Sequence, residues 1–185
     1  LNLIGKQKKL LDLGSGDGSF YEYCKEIGIL AEKSDGSFEH INFEKDKLKF
    51  ENNVFDFVLM NSIIEHLHNP SNLLIEVKRV LKETGILIVI TPNFKYAYRN
   101  FYDDPTHVQP YTSDSLRKIL KLMDFTKIQI FPFLVNKPAL YWKIPFNFFF
   151  ASIIPFKNHT YSNFPIPRFL RGHSTAMISV CKKKS

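Results

Sequence analysis

Asp12 stands two places before Gly14, and glycine recurs at Gly16 and Gly18, with Ser15 and Asp17 between. A carboxylate followed by bare backbone can cradle a nucleotide-type ligand, because glycine admits positive φ and lets a ligand lie against the main chain. Further on, Asp35 precedes Gly36. An acid about twenty residues past such a loop, at a strand tip, can accept hydrogen bonds from two ribose hydroxyls. A turn aspartate would read the same way. His66 and His107 are the candidate acid–base groups, since imidazoles titrate near neutrality. Tyr111 and Asp104 lie close enough in the chain to orient His107. Either histidine is equally suited to anchoring a loop. No cluster of His and carboxylate residues shows metal-ligand spacing, so no metal is expected.

These groups need elements to hold them. Leu10, Leu11 and Leu13 around Asp12 read as a short buried strand entering the glycine turn. Phe20, Tyr23, Cys24 and Ile27 then recur at helical spacing, which predicts a helix over 19–27 stopped by Gly28. A second strand is expected over 29–34, although Glu32 and Lys33 are polar for a buried strand. A short third strand is expected over 41–44, and a continuous apolar strand with a polar tip over 54–62. Ser71 is the expected N-cap of the next helix, with Leu74, Val77 and Leu81 as its buried stripe and Gly85 as its end. Strands over 86–90, 127–133 and 176–181, and a helix capped by Thr112-Ser113, complete the pattern. Alternating strands and helices with short loops predict an α/β fold, a mostly parallel sheet covered on both faces. Its ligand site should lie at the strand carboxyl ends, where Asp12 to Gly18, Asp35, Glu44, Asn61 and Asn93 all fall.

The 185 residues suit one domain with a single sizeable core. Cys24 and Cys181 are too far apart in sequence for a disulfide framework or a zinc spacing. They read as buried thiols of a reducing cytoplasm. The net charge of +7 allows an acidic partner, but the lysines are scattered apart from Lys182-Lys183-Lys184, which favours a solvated surface over a nucleic-acid groove. No leader is recognisable before the first strand, which lies close to the start of the chain.

Three passages carry a family resemblance. Asp12-Leu13-Gly14-Ser15-Gly16-Asp17-Gly18 resembles motif I of the class I S-adenosylmethionine-dependent methyltransferases. Phe55-Asp56 through Glu65-His66-Leu67 resembles the signature of their subgroup acting on small molecules and lipids, as does Arg79 to Asn93. The resemblance covers about residues 8–132 and implies a Rossmann-like, doubly wound sheet whose last two strands form an antiparallel edge pair. It implies S-adenosylmethionine as cofactor, S-adenosylhomocysteine as product, and a ribose role for Asp35. Asn42, Phe43 and Glu44 are then candidates for the adenine side, Phe43 being equally suited to the core. Asn61 and Ser62 would line the methionine end. The segment around Asp104 to Thr112 resembles the loop that closes over the active site, which makes His107 the candidate base for a hydroxyl acceptor. The passage Asn61-Ser62-Ile63-Ile64 lacks the proline-proline-aromatic motif of nucleic-acid base methylation, so a small-molecule, lipid or lipid-linked sugar acceptor is expected, with O-methylation ahead.

Residues 134–172 form an aromatic-rich insertion that the core fold does not require. Its apolar run between Pro145 and Pro155 is too short to span a bilayer, which takes about twenty residues. It is suited to packing on its own sheet, to covering a pocket, to dimerisation, or to peripheral membrane contact beside Lys157, Arg168 and Arg171. Two rival functions remain at this stage. An NAD-dependent oxidoreductase would need a glycine one residue beyond Gly18. A non-catalytic, cofactor-binding scaffold of the same fold would keep the motifs without turnover.

Overall fold

The computed structural model describes residues 8–36, 41–133 and 175–184; the insertion at 134–172 lies outside the described residues. Its elements are β1 (Lys9–Leu13), α1 (Ser19–Glu26), β2 (Leu30–Ser34), β3 (Phe55–Asn61), a 3-10 turn at Ile64–His66 and α2 (Ser71–Val80). β4 (Leu81–Pro92), α3 (Phe94–Ala97), a second 3-10 turn at Phe101–Asp103, α4 (Ser113–Leu122), β5 (Phe125–Phe133) and β6 (Ala176–Lys183) follow. The strands form one sheet in the order β2-β1-β3-β4-β6-β5. β1 to β4 pair in parallel, while β6 runs antiparallel to both β4 and β5.

The period of two along β1 separates two cores. Leu11 and Leu13 face a large cluster with Val58, Met60, Leu87 and Val89, closed by Leu73, Leu74, Val77 and Val80 of α2 and Leu116 and Leu120 of α4. Leu10 faces the other side, where Cys24, Ile29, Phe57 and Leu59 gather with the half-buried Phe20. Helices therefore cover both faces, as expected for a doubly wound sheet. Both cysteines are buried and free. No helix among the described residues is long and apolar enough to cross a membrane.

Four local expectations are corrected. The segment at 41–44 is a turn rather than a third strand: the Asn42 carbonyl accepts from the Lys45 and Asp46 amides, and the Asp46 carboxylate accepts from the Asn42 amide. These local bonds satisfy backbone groups that a sheet ladder would otherwise take. β2 is thus an edge strand among the described residues, and this accounts for its polar residues. Glu32 pairs with Lys9, and the Lys33 ammonium lies over the Tyr21 ring. Charge on an edge discourages pairing with another chain.

The other three concern helices. α1 ends at Glu26 with Ile27 as its C-cap, and Tyr23 and Ile27 are exposed, so its buried face is narrower than the periodicity implies. Pro70 rather than Ser71 is the N-cap of α2, and the Asn69 side chain accepts the Ser71 amide at 3.0 Å. Finally, α2 stops at Val80 and not at Gly85. Leu81 turns extended and pairs with Phe55, while Ile86 pairs with Phe57, so 82–85 bulge from the ladder. A Cβ at Gly85 would meet Leu81 and the Lys82 carbonyl at 2.8 Å, so only glycine fits where this bulge folds back. Thr112 caps α4 as expected, in a reciprocal box with Ser115.

Candidate active site

Parallel register brings the carboxyl ends of β1 to β4 to one edge of the sheet. Leu13 pairs with Ser34 of β2 and Met60 of β3, and Asn61 pairs with Ile90 of β4. At this edge Gly14, Gly16 and Gly18 all take positive φ, at 73°, 53° and 77°. The Gly14 amide donates to the Ser34 carbonyl at 2.7 Å, and the Gly16 amide donates to Asp35 Oδ2 at 2.9 Å. A Cβ on Gly14 would lie 2.5 Å from the outer atoms of the Ile63 side chain, and a φ of 73° disfavours any larger residue, so the loop after β3 closes tightly on this glycine. The glycine bend and Asp35 therefore lie together at one edge of the sheet.

Asp12 lies beneath this bend, 2% exposed, and its Oδ2 finds no hydrogen-bond partner among the described residues. Burial pushes its carboxyl up to about 6; nearby Asp35 adds to the rise and Lys33 opposes it. Asp17 has a different task. Its Oδ1 accepts the Ser19 amide at 2.9 Å in the first turn of α1, and that bond holds its carboxyl below the usual range. Ser15 contributes its carbonyl, which accepts from the Gly18 amide.

On the expected adenine side the three candidates part. Phe43 lies against the Asp35–Gly36 tip, its ring 3.3 Å from where a Gly36 Cβ would stand, and it also packs on the large core. Asn42 Oδ1 accepts the Glu44 amide within the turn, and Glu44 Oε1 accepts the Asn69 amide before α2. At the end of β3, Asn61 and Ser62 are exposed, and Ser62 takes a positive φ of 53° while its amide donates to the Ile90 carbonyl.

Beside them lies a cavity of about 240 Å³, lined among others by Ser62, Thr91, Asn100, Phe101, His107 and Ala176. His107 Nδ1 lies 2.6 Å from the Phe101 carbonyl. A carbonyl only accepts, so Nδ1 carries the proton and Nε2 presents its lone pair. Asp104 is 3.8 Å from Nε2, and its carboxylate accepts from the Thr106 amide and hydroxyl. The Phe101 carbonyl, not Asp104 or Tyr111, orients His107. Tyr111 sits in the large core, where burial first and Glu65 second push its hydroxyl up to about 12. His66 Nδ1 donates to the carbonyl and hydroxyl oxygens of Thr106, and its ring lies against His107, tilted by 53° with centroids 4.7 Å apart.

Glu65 is the residue that sequence reasoning missed. It is fully buried; Oε2 accepts from the Thr91 hydroxyl at 2.9 Å, Oε1 has no partner among the described residues, and burial raises its carboxyl. Its backbone carbonyl accepts the Val108 and Gln109 amides, which ties the His107 loop to the end of β3. One ligand atom each from Glu65, His66 and His107 lie within 4.8 Å of one another, a convergence that sequence spacing did not reveal. The only local signal was a charged residue between apolar Ile64 and His66.

Residues 1–130 match the family described as "Methyltransferase domain". The chain belongs to that family. An uncharacterized protein of Methanocaldococcus jannaschii is 33% identical over 88 residues, 43% of this chain and 42% of the relative. The ubiquinone biosynthesis O-methyltransferase of Pelagibacter ubique is 31% identical over 104 residues, 48% of this chain and 43% of the relative. The chain thus spans less than half the length of these two relatives. Among solved structures, a SAM-dependent methyltransferase from Archaeoglobus fulgidus superposes with a TM-score of 0.65 at 22% identity, covering 98% of this chain and 89% of that one.

This methyltransferase domain has the mixed, Rossmann-like sheet of the class I fold, with the antiparallel C-terminal pair. Its family uses S-adenosylmethionine, and the nicotinamide alternative falls away with the family assignment. The residues at the strand tips fit that cofactor. Bare backbone lies at the Gly14–Gly18 bend, a carboxylate is held against it at Asp35, and a buried Asp12 oxygen has no hydrogen-bond partner among the described residues.

Proposed function

We propose that this methyltransferase domain methylates an oxygen of a small apolar or lipid-type acceptor seated in the cavity beside Ser62 and His107. Bound S-adenosylmethionine supplies a methyl on a cationic sulfur that leaves as a neutral thioether. In this reading the glycine bend and Asp35 hold the adenosine, with Phe43 on the adenine side. Asp12 accepts from the cationic end of the methionine moiety, and Asn61 and Ser62 flank it. Alignment is then the protein's main contribution to rate. His107 takes the acceptor's proton at Nε2, and His66 holds the loop through Thr106.

The observation that carries the reading is the His107 tautomer: Nδ1–H is committed to the Phe101 carbonyl at the cavity wall, which leaves Nε2 basic. The O-methyltransferase relative from Pelagibacter supports oxygen over nitrogen. Transfer of labelled methyl from S-adenosylmethionine into small-molecule and lipid extracts tests it, with loss of transfer in His107→Ala as the expected result. A second reading, a cofactor-binding scaffold without turnover, draws on the few residues between Asp35 and Ile41, where the resemblance implies a full helix. Adenosylmethionine binding with no transfer into any extract would favour it. Residues 134–172 are assigned to acceptor contact, dimerisation or a peripheral membrane surface within the cytoplasm; nucleic acid is not an expected partner.

A further inference from the structure

We propose that Glu65, His66 and His107 form a site for one divalent transition-metal cation, open toward the acceptor cavity. Three separate observations converge on it. Ligand atoms from the three side chains lie within 4.8 Å of one another, although His107 stands far along the chain from the adjacent pair Glu65-His66. Glu65 is fully buried, and its Oε1 meets no donor among the described residues. A carboxylate oxygen left so is costly unless positive charge faces it. Finally, both histidines commit Nδ1 to backbone oxygen, His107 to Phe101 and His66 to Thr106, which turns both Nε2 lone pairs away from those anchors.

That last feature separates a metal site from a chance cluster. Imidazoles that bind metal through one nitrogen usually donate the other N–H to a carbonyl or carboxylate, which fixes tautomer and ring angle. Bonds of roughly 2.0–2.2 Å to nitrogen and oxygen require the three atoms to close in from their present spread. Two imidazoles and one carboxylate suit manganese, iron, cobalt or zinc rather than magnesium or calcium, which prefer all-oxygen sites.

Three protein ligands leave positions for an oxygen of the acceptor. A hydroxyl bound there loses its proton to water at a lower pH than in bulk. Its oxygen pair then forms the O–CH₃ bond, while the electrons of the breaking S–CH₃ bond stay on sulfur. His107 is the proton acceptor in the metal-free protein and a ligand in the metal-bound one, so its loss lowers transfer by either route. The use of the cation rests on the methyl-transfer reading, whereas its binding does not.

The test is a titration of the full-length, chelator-stripped protein with Co²⁺ alone at neutral pH, read by visible d–d absorption and by calorimetry. One Co²⁺ per chain with nitrogen-type bands is expected. Glu65→Gln, which keeps the Thr91 contact, and His107→Gln should each weaken it by roughly 10–100-fold. His68→Gln, at an exposed histidine outside the cluster, should leave it unchanged. Absence of d–d bands at millimolar Co²⁺ would overturn the site. So would stoichiometric binding that neither cluster variant weakens, since it would place the metal on other residues. Parallel titration with S-adenosylmethionine separates the two ideas: its failure with cobalt binding intact sinks the methyl-transfer reading and leaves this site standing.

Discussion

The Gly16 amide donates a 2.9 Å hydrogen bond to Asp35 Oδ2. This bond joins the bend after β1 to the tip of β2, where the proposed reading seats the adenosine. In the proposed reading the Asp35 carboxylate, an acceptor through both oxygens, holds the bend and meets the ribose hydroxyls. Asp35→Ala should weaken S-adenosylmethionine binding by about 10–100-fold, the range for loss of hydrogen bonds to a charged group. Calorimetry checks it; unchanged affinity would remove Asp35 from the ribose.

Asp12 makes affinity and stability depend on pH in opposite directions. Its folded carboxyl titrates at about 6 against an ordinary value of 3.8, so the fold favours the protonated form. The stability it contributes is complete below 3.8 and is lost as pH rises through about 6. Asp12→Asn should therefore stabilise the cofactor-free protein by roughly 2–3 kcal/mol at neutral pH, measured by denaturant unfolding. The same substitution should flatten the pH profile of adenosylmethionine binding, which in the wild type falls as pH drops below about 6.

Arg79 fixes the segment entering β3. Its guanidinium pairs with Glu76 at 2.7 Å and donates to the Phe50 and Leu48 carbonyls and the Asn52 side chain. Glu76 is buried and also accepts the Leu48 amide. Arg79→Ala leaves that carboxylate without its cation, so a loss of about 3–5 kcal/mol is expected in urea unfolding. Adenosylmethionine affinity, measured below the transition, should change little.

Loss of the imidazole in His107→Ala should lower methyl transfer by about 10²–10⁴-fold with cofactor affinity intact. Single-turnover transfer of labelled methyl measures it, and unchanged turnover would remove His107 from the chemistry.

The bend and strand tip of the proposed cofactor half were legible because their signals are local. Three glycines at alternate positions after a short apolar strand admit few structures, and Asp35 follows at the tip of the next strand. The proposed acceptor half was not, because Glu65 and His107 are brought together by tertiary bonds such as those from Val108 and Gln109 to the Glu65 carbonyl. No spacing encodes that contact. Ile41 and Phe43 alternate as a strand would, yet the carbonyl of Asn42 and the carboxylate of Asp46 capture the backbone of a turn. Gly85 reads as a helix end, but its small size serves the bulge against Leu81.

The most direct test is calorimetry of the full chain against S-adenosylmethionine, S-adenosylhomocysteine and NAD, with Asp35→Ala in parallel. One adenosylmethionine or adenosylhomocysteine per chain, no NAD binding, and a weakened variant are the results predicted. Binding of NAD, or of neither adenosyl compound, would contradict the account.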